Sequence, residues 1–234
     1  MLTLGLGIFI NALVMFAILD KDSFGFYFQA HSFILVVGGT FGTLFLMTSK
    51  SGLVRLFQVI KSIRRPEESL LVYQNELISL GKDKSVATTS KHSLIQYAID
   101  LWQQGVDANL VVVLLSERRK ELDSRAVASV QTTKHLAKYP PAFGMMGTVM
   151  GMITLFASLG EDKSNIGLSL SIAMTATFFG LFLTNLILSP LADRLHAMQM
   201  QESRLNENIY EVLLLINRGE SSVLIREELH GRTG

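Results

Sequence analysis

The stretch Ile166-Gly-Leu-Ser-Leu-Ser-Ile-Ala-Met-Thr-Ala-Thr-Phe-Phe-Gly-Leu-Phe-Leu-Thr-Asn-Leu-Ile-Leu-Ser-Pro-Leu-Ala192 decides the fold. It holds no Asp, Glu, Lys or Arg over more than the roughly 20 residues a helix needs to cross a hydrocarbon core. Residues 2–19, 28–47 and 140–159 share that property. In lipid the backbone satisfies its N–H and C=O groups only within a helix or a closed barrel. Few alternating β-branched runs compete with the helical reading. The expected architecture is therefore an all-α membrane protein, with four transmembrane helices and a cytoplasmic helical domain between helices two and three.

Charge sets the expected topology. Of the 21 Lys and Arg in the 234 residues, 14 lie between Thr48 and Tyr139 and 5 follow Ala192. Only Lys21 and Lys163 fall in the two short loops, residues 20–27 and 160–165. The excess of Lys and Arg on cytoplasmic segments then places both termini, the middle segment and the tail inside, and the loops outside. The expected divisions are 1–48 for spans one and two, 49–139 for the cytoplasmic domain, 140–192 for spans three and four, and 193–234 for the cytoplasmic tail. With no basic leader or cleavage-site pattern, the first stretch reads as a retained span rather than a signal peptide.

The middle segment carries helical spacing. Leu53, Leu56, Val59, Ile60 and Ile63 form one such set, and Leu70, Leu71, Tyr73, Leu77 and Leu80 another. Residues 81–89 are a polar break. A helix over 90–104 ends at Gly105, and Asp107 caps a long helix over 108–138. That helix runs into Tyr139-Pro-Pro and is expected to extend span three. Span four likewise continues through Asp193 and Arg194 into an amphipathic tail with Leu205, Ile209, Val212, Leu213 and Ile216. The run Arg118-Arg-Lys120 reads as a solvated helix face.

Small and hydroxyl residues stand where a self-sufficient proton pathway would place an acid. In Tyr139-Pro-Pro-Ala-Phe-Gly-Met-Met-Gly-Thr-Val-Met-Gly151, Gly144, Gly147 and Gly151 allow close helix approach. The doubled proline removes two backbone donors where the helix meets the membrane. In span four, Ser169, Ala173, Thr177, Gly180 and Thr184 recur at spacings of three and four, a narrow small and polar stripe. Alone, the stripe reads equally well as helix packing. With the acids missing, the pattern suggests spans packed around another component that supplies the charge. No cysteine is present, and no nucleotide loop, metal cluster or nucleophile–base set appears, so an enzyme is not expected.

The order of these motifs resembles a known family. Pro141-Ala-Phe-Gly-Met-Met-Gly-Thr-Val-Met-Gly151 resembles the third-span signature of flagellar motor stator A subunits, the MotA/PomA family. Ala173-Met-Thr-Ala-Thr-Phe-Phe-Gly180 and Ser189-Pro-Leu-Ala-Asp-Arg-Leu195 resemble its fourth span and exit. Ala98-Ile-Asp-Leu-Trp-Gln-Gln-Gly-Val-Asp-Ala108 is similar to its cytoplasmic segment. The resemblance covers nearly the whole chain and its four-span layout.

The resemblance implies a homopentamer in the bacterial inner membrane around a dimeric MotB/PomB-type B subunit. Each B subunit contributes one span and the essential Asp. Ion flow drives rotation against a FliG-type rotor protein. Neither a cofactor nor nucleic acid is implied beyond the transported sodium ion or proton. Pro141 and Pro190 correspond to the family's functional prolines and Thr177 to its threonine beside the ion path. Thr148 stands where sodium-driven members have Thr and proton-driven members commonly have Ala. Hydroxyls at Thr148 and Thr177 favour sodium over protons, because sodium must exchange water for oxygen ligands. Ala176 departs from the pattern, since sodium-type relatives often carry a further Thr there.

The family's rotor contact pairs basic with acidic residues. Lys82 and Lys84 are candidates for the basic part, but residues 85–92 contain no Asp or Glu, so a solvated loop is an equal alternative. Two other functions compete. An ExbB/TolQ-type energiser of outer-membrane transport usually has three spans, against the two apolar stretches before Lys50 here. A non-conducting membrane scaffold would also tolerate acid-free spans.

Overall fold

The structure is a computed structural model that describes residues 7, 10, 13, 29–62, 69–83, 89–158 and 164–233. The first expected span and the loop after it lie outside the described residues except for Gly7, Ile10 and Leu13, which are helical. The described residues contain helices and turns but no strand. Three helical runs among them, Ala30–Met47, Ala108–Ala157 and Ile166–Arg218, carry a stretch long and apolar enough to cross a membrane. The chain divides into two compact units, each built from two separate stretches.

The first unit comprises Met1–Arg64 and Ser129–Leu195. Its apolar helices are α1 (Ala30–Met47), with a π-helical turn at Ile34–Gly38, α6 (Tyr139–Ser158) and α7 (Ser164–Phe182). Helix α1 ends where Thr48 becomes extended, and the Ser49 hydroxyl then accepts from Gly52 N at 3.2 Å to start α2 (Lys50–Ser62). That pairing satisfies one of the orphan donors of a helix start. Leu56 of α2 is buried with Leu44, Leu136 and Leu188, while Val54 and Phe57 are exposed. The 3.6-residue period thus gives α2 one packed and one open face.

The second unit comprises Arg65–Ala128 and His196–Gly234. Within it lie α3 (Leu70–Lys82), α4 (Ser93–Gln103), most of α5 (Ala108–Leu136), most of α8 (Ser189–Arg218) and α9 (Ser222–Thr233). Leu77, Ile95, Leu115, Ile209, Leu213 and Ile225 form one continuous core with no meaningful exposure. The tail residues and the middle-segment residues therefore share a single core. Ends of helices follow local chemistry. Gly105 at φ +68° and Gly219 at φ +77° take the left-handed conformation that costs glycine little. Asp107 Oδ1 accepts from Asn109 N at 2.9 Å to open α5.

Two arginines correct a sequence expectation. Lys120 is solvated, but Arg118 and Arg119 retain only 31% and 25% of their side-chain exposure. Arg118 lies 5.8 Å from the centre of the Tyr97 ring and Arg119 lies 4.9 Å from that of Tyr210, distances at which a ring face attracts a guanidinium. Arg118 also donates to Glu121 at 2.7 Å, and Arg119 to Glu207 at 3.3 Å. The bond from Arg118, with the charge of Arg125 behind it, holds the Glu121 carboxyl below its ordinary value. These side chains are structural staples of the second unit rather than a solvated face.

Candidate functional site

The seam between α6 and α7 gathers most of the residues singled out in the sequence. A Cβ built on Gly151 would stand 2.6 Å from Ala173 Cβ and 2.9 Å from Ser169 O. At Gly147 it would collide with Ala176 Cβ and come within 3.2 Å of Leu35. At Gly144 it would meet Ala176 O at 3.0 Å and Thr177 Cα at 3.2 Å. At Gly180 it would meet Pro140 O at 2.6 Å and Pro141 Cα at 3.2 Å. As numbers rise along α6 they fall along α7, so the two helices run antiparallel. The small stripe of α7 faces α6 of the same chain, which answers what these residues pack against. The face of α6 that remains open carries Met145, Met146, Val149, Met150 and Ile153.

Thr148 and Thr177 border this seam, both half-buried. Thr148 Oγ1 donates to Met145 O at 2.6 Å. A hydroxyl has one proton and two lone pairs, so donating backwards leaves its oxygen able to face a cation. Thr177 lies opposite Gly144, one helical turn from Thr148 along α6. Pro140 is buried and Pro141 half-buried in the first turn of α6, where a missing N–H is tolerated. Pro190 is exposed in the first turn of α8, two residues after the π-helical segment Leu183–Leu188. Lys82 is exposed at the end of α3, and Lys84 lies outside the described residues.

A second polar contact was not singled out in the sequence. Ser32 of α1 is 1% exposed and donates to Ile172 O at 2.9 Å, while Thr175 Oγ1 stands 3.0 Å from Ser32 Oγ. Gln29 Nε2 reaches Ser171 Oγ at 3.4 Å, and Phe33 meets Phe179 edge-on at 5.5 Å. Thr175 lies about 200° around the helix from Thr177, so α7 uses one face for α6 and another for α1. The signal was a pair of hydroxyls, Ser171 and Thr175, at i, i+4 off the main stripe.

A family model described as the MotA/TolQ/ExbB proton channel family matches residues 86–208, more than half of the chain. The chain belongs to that family. Within it, the chain falls with the MotA/PomA proteins. "Motility protein A" of Treponema pallidum is 26% identical over 231 residues, covering 93% of this chain and 88% of that protein. "Chemotaxis protein PomA" of Vibrio alginolyticus is 25% identical, covering 92% and 87%. The solved structure of C. jejuni MotAB matches with a TM-score of 0.83 at 16% identity, covering 100% of this chain and 96% of that one. At that identity the match speaks for the fold. A MotA/TolQ/ExbB family member with these apolar helices is a multi-pass membrane protein and a channel component, not an enzyme.

Proposed function

We propose that this chain is the A subunit of a flagellar motor stator in the bacterial inner membrane, converting ion flow into torque on a FliG-type rotor. One observation carries the reading. The family match runs through spans three and four, and the apolar stretches there contain no Asp, Glu, Lys or Arg. A channel of this family without its own ionisable group needs one from elsewhere. A MotB/PomB-type B subunit, with one span and an Asp, would supply it inside a homopentamer of this chain. The relatives' names, motility protein A and PomA, and the assembly named MotAB support that partner. The Lys and Arg asymmetry supports cytoplasmic termini.

Sodium is the favoured ion. Thr148 spends its proton on Met145 O and keeps its oxygen lone pairs, and Thr177 adds a second hydroxyl across the seam. Pro141 and Pro190 shape the two helices at this path.

The test is complementation of a motile bacterium lacking its stator. This chain plus an Asp-bearing single-span partner should restore rotation, while the same partner with Asp→Asn should not. Native mass measurement of the purified complex should give a homopentamer with two partner chains. Rotation that survives loss of the partner's Asp would overturn the reading in favour of a scaffold.

A further inference from the structure

One backbone carbonyl at the start of span three has lost both of its natural donors. Ala137 O would take the N–H of residue 141 in an α-helical turn, or that of residue 140 in a 3₁₀ turn. Both positions are proline and neither has an N–H. The preceding carbonyl, Leu136 O, faces a proline only in α-helical register, since position 139, its 3₁₀ partner, is Tyr and keeps its N–H; both registers fail only for Ala137. An unpaired carbonyl in a protein interior or a membrane is expensive.

A side chain from span four fills the gap. Thr184 Oγ1 donates to Ala137 O at 3.0 Å. Thr40, Thr43 and Thr148 instead donate to carbonyls three or four residues back in their own helices. Thr184 stands in the π-helical segment Leu183–Leu188, where Ser189 N donates to Thr184 O across five residues. Gly180 lies four residues earlier on the same face. Its missing side chain lets the Pro140–Pro141 backbone approach closely enough for the threonine to reach.

We propose that Thr184 is a positioning residue: it supplies the hydrogen bond that Pro140 and Pro141 withhold from Ala137, latching the start of span three to the π-helical segment of span four. A main-chain N–H at position 141 would hold that carbonyl within its own helix. A hydroxyl on a neighbouring helix holds it only while the two helices stay together, and one χ1 rotation releases it. The latch thus ties the geometry of span three to that of span four. Its value to a subunit that changes shape as ions pass rests on the stator reading; the hydrogen bond itself does not.

The test is hydrogen exchange on the full chain, purified with its partner, in peptides covering residues 138–146 and 183–192. Thr184→Val keeps the shape and removes the donor. It should speed exchange there about tenfold, the effect of leaving one half-buried acceptor unpaired. Thr184→Ser should stay within about twofold of the parent, since it keeps the hydroxyl. In a Pro141→Ala background the new N–H serves Ala137 O, and adding Thr184→Val should then change exchange by less than about twofold, a non-additive pair. A valine without effect, or an equal loss in both backgrounds, would overturn the latch and leave Thr184 as packing. Motility is scored separately. If exchange follows the predicted pattern while the parent chain drives no rotation, the latch stands and the stator reading fails.

Discussion

Gly151 and Ala173 stand so close that a methyl on the glycine would lie 2.6 Å from the alanine Cβ. One turn away Gly147 meets Ala176, and on the other flank Gly180 meets Pro140 O. Between apolar helices in lipid there is little hydrophobic drive to associate, so close van der Waals approach does the work. The seam is the framework on which the hydroxyls and prolines are held.

Gly151→Ala should therefore destabilise the pair of spans by about 1–3 kcal/mol, the usual range for overpacking. Gly167→Ala is the control, because nothing lies within 4 Å of the position its Cβ would take. Thermal unfolding of the purified complex followed by tryptophan-independent circular dichroism distinguishes them. Equal midpoints for the two variants would mean that the seam yields without cost.

Asn217 ties together two parts of the second unit. Trp102 Nε1 donates to its Oδ1 at 3.0 Å, and its Nδ2 donates to Ala108 O at 2.8 Å. Asn217→Leu would strand a donor and an acceptor at a residue only 9% exposed, at about 1–3 kcal/mol for each group. The expected result is a lower denaturation midpoint for the second unit with membrane insertion unchanged. Asn217→Asp keeps the acceptor and should lose less. A leucine variant as stable as the parent would show that the pair is not worth its hydrogen bonds.

Local signals were legible in the sequence where the chemistry is local. Gly105 and Asp107 mark a helix end and a helix start by themselves, and the structure has a left-handed glycine and an Asp cap there. The stripe Ser169, Ala173, Thr177, Gly180, Thr184 was visible as a face, because a helical period identifies faces. It cannot say what a face meets, and the answer, α6 of the same chain, came from the structure. Arg118 and Arg119 were misread for the same reason. A run of charge looks solvated until Tyr97 and Tyr210, from distant parts of the chain, are seen beneath it. The π-helical turn at Ile34–Gly38 lies in a run without distinguishing composition, and the one cue to the turn at Leu183–Leu188, Pro190, stands outside the segment it affects.

Pro190 offers a test of one such turn. Its ring takes the place of an N–H and crowds the carbonyl one turn back, and a widened segment just before it relieves that crowding. Pro190→Ala should let the helix run on in ordinary α register through Leu183–Leu188. The variant should reach normal membrane levels yet rotate poorly. Normal rotation would reduce Pro190 to a helix boundary mark.

Thr148 bears most directly on the ion. A sodium ion entering a narrow path gives up water and needs oxygens in return, whereas a proton travels on a carboxyl group without such a cage. Thr148 Oγ1 is bonded through its proton to Met145 O, which orients its lone pairs away from its own backbone. Loss of one such interaction with a charged species costs about 1.5–3 kcal/mol, which corresponds to roughly tenfold or more in apparent affinity. Thr148→Ala should accordingly raise the sodium concentration for half-maximal swimming by at least about tenfold. Thr148→Ser, which retains the oxygen, should shift it far less. A protonophore should leave swimming largely intact while a sodium gradient is held independently. If swimming instead stops with the protonophore and ignores sodium, protons drive the motor and Thr148 is a packing residue beside Gly147 and Gly151.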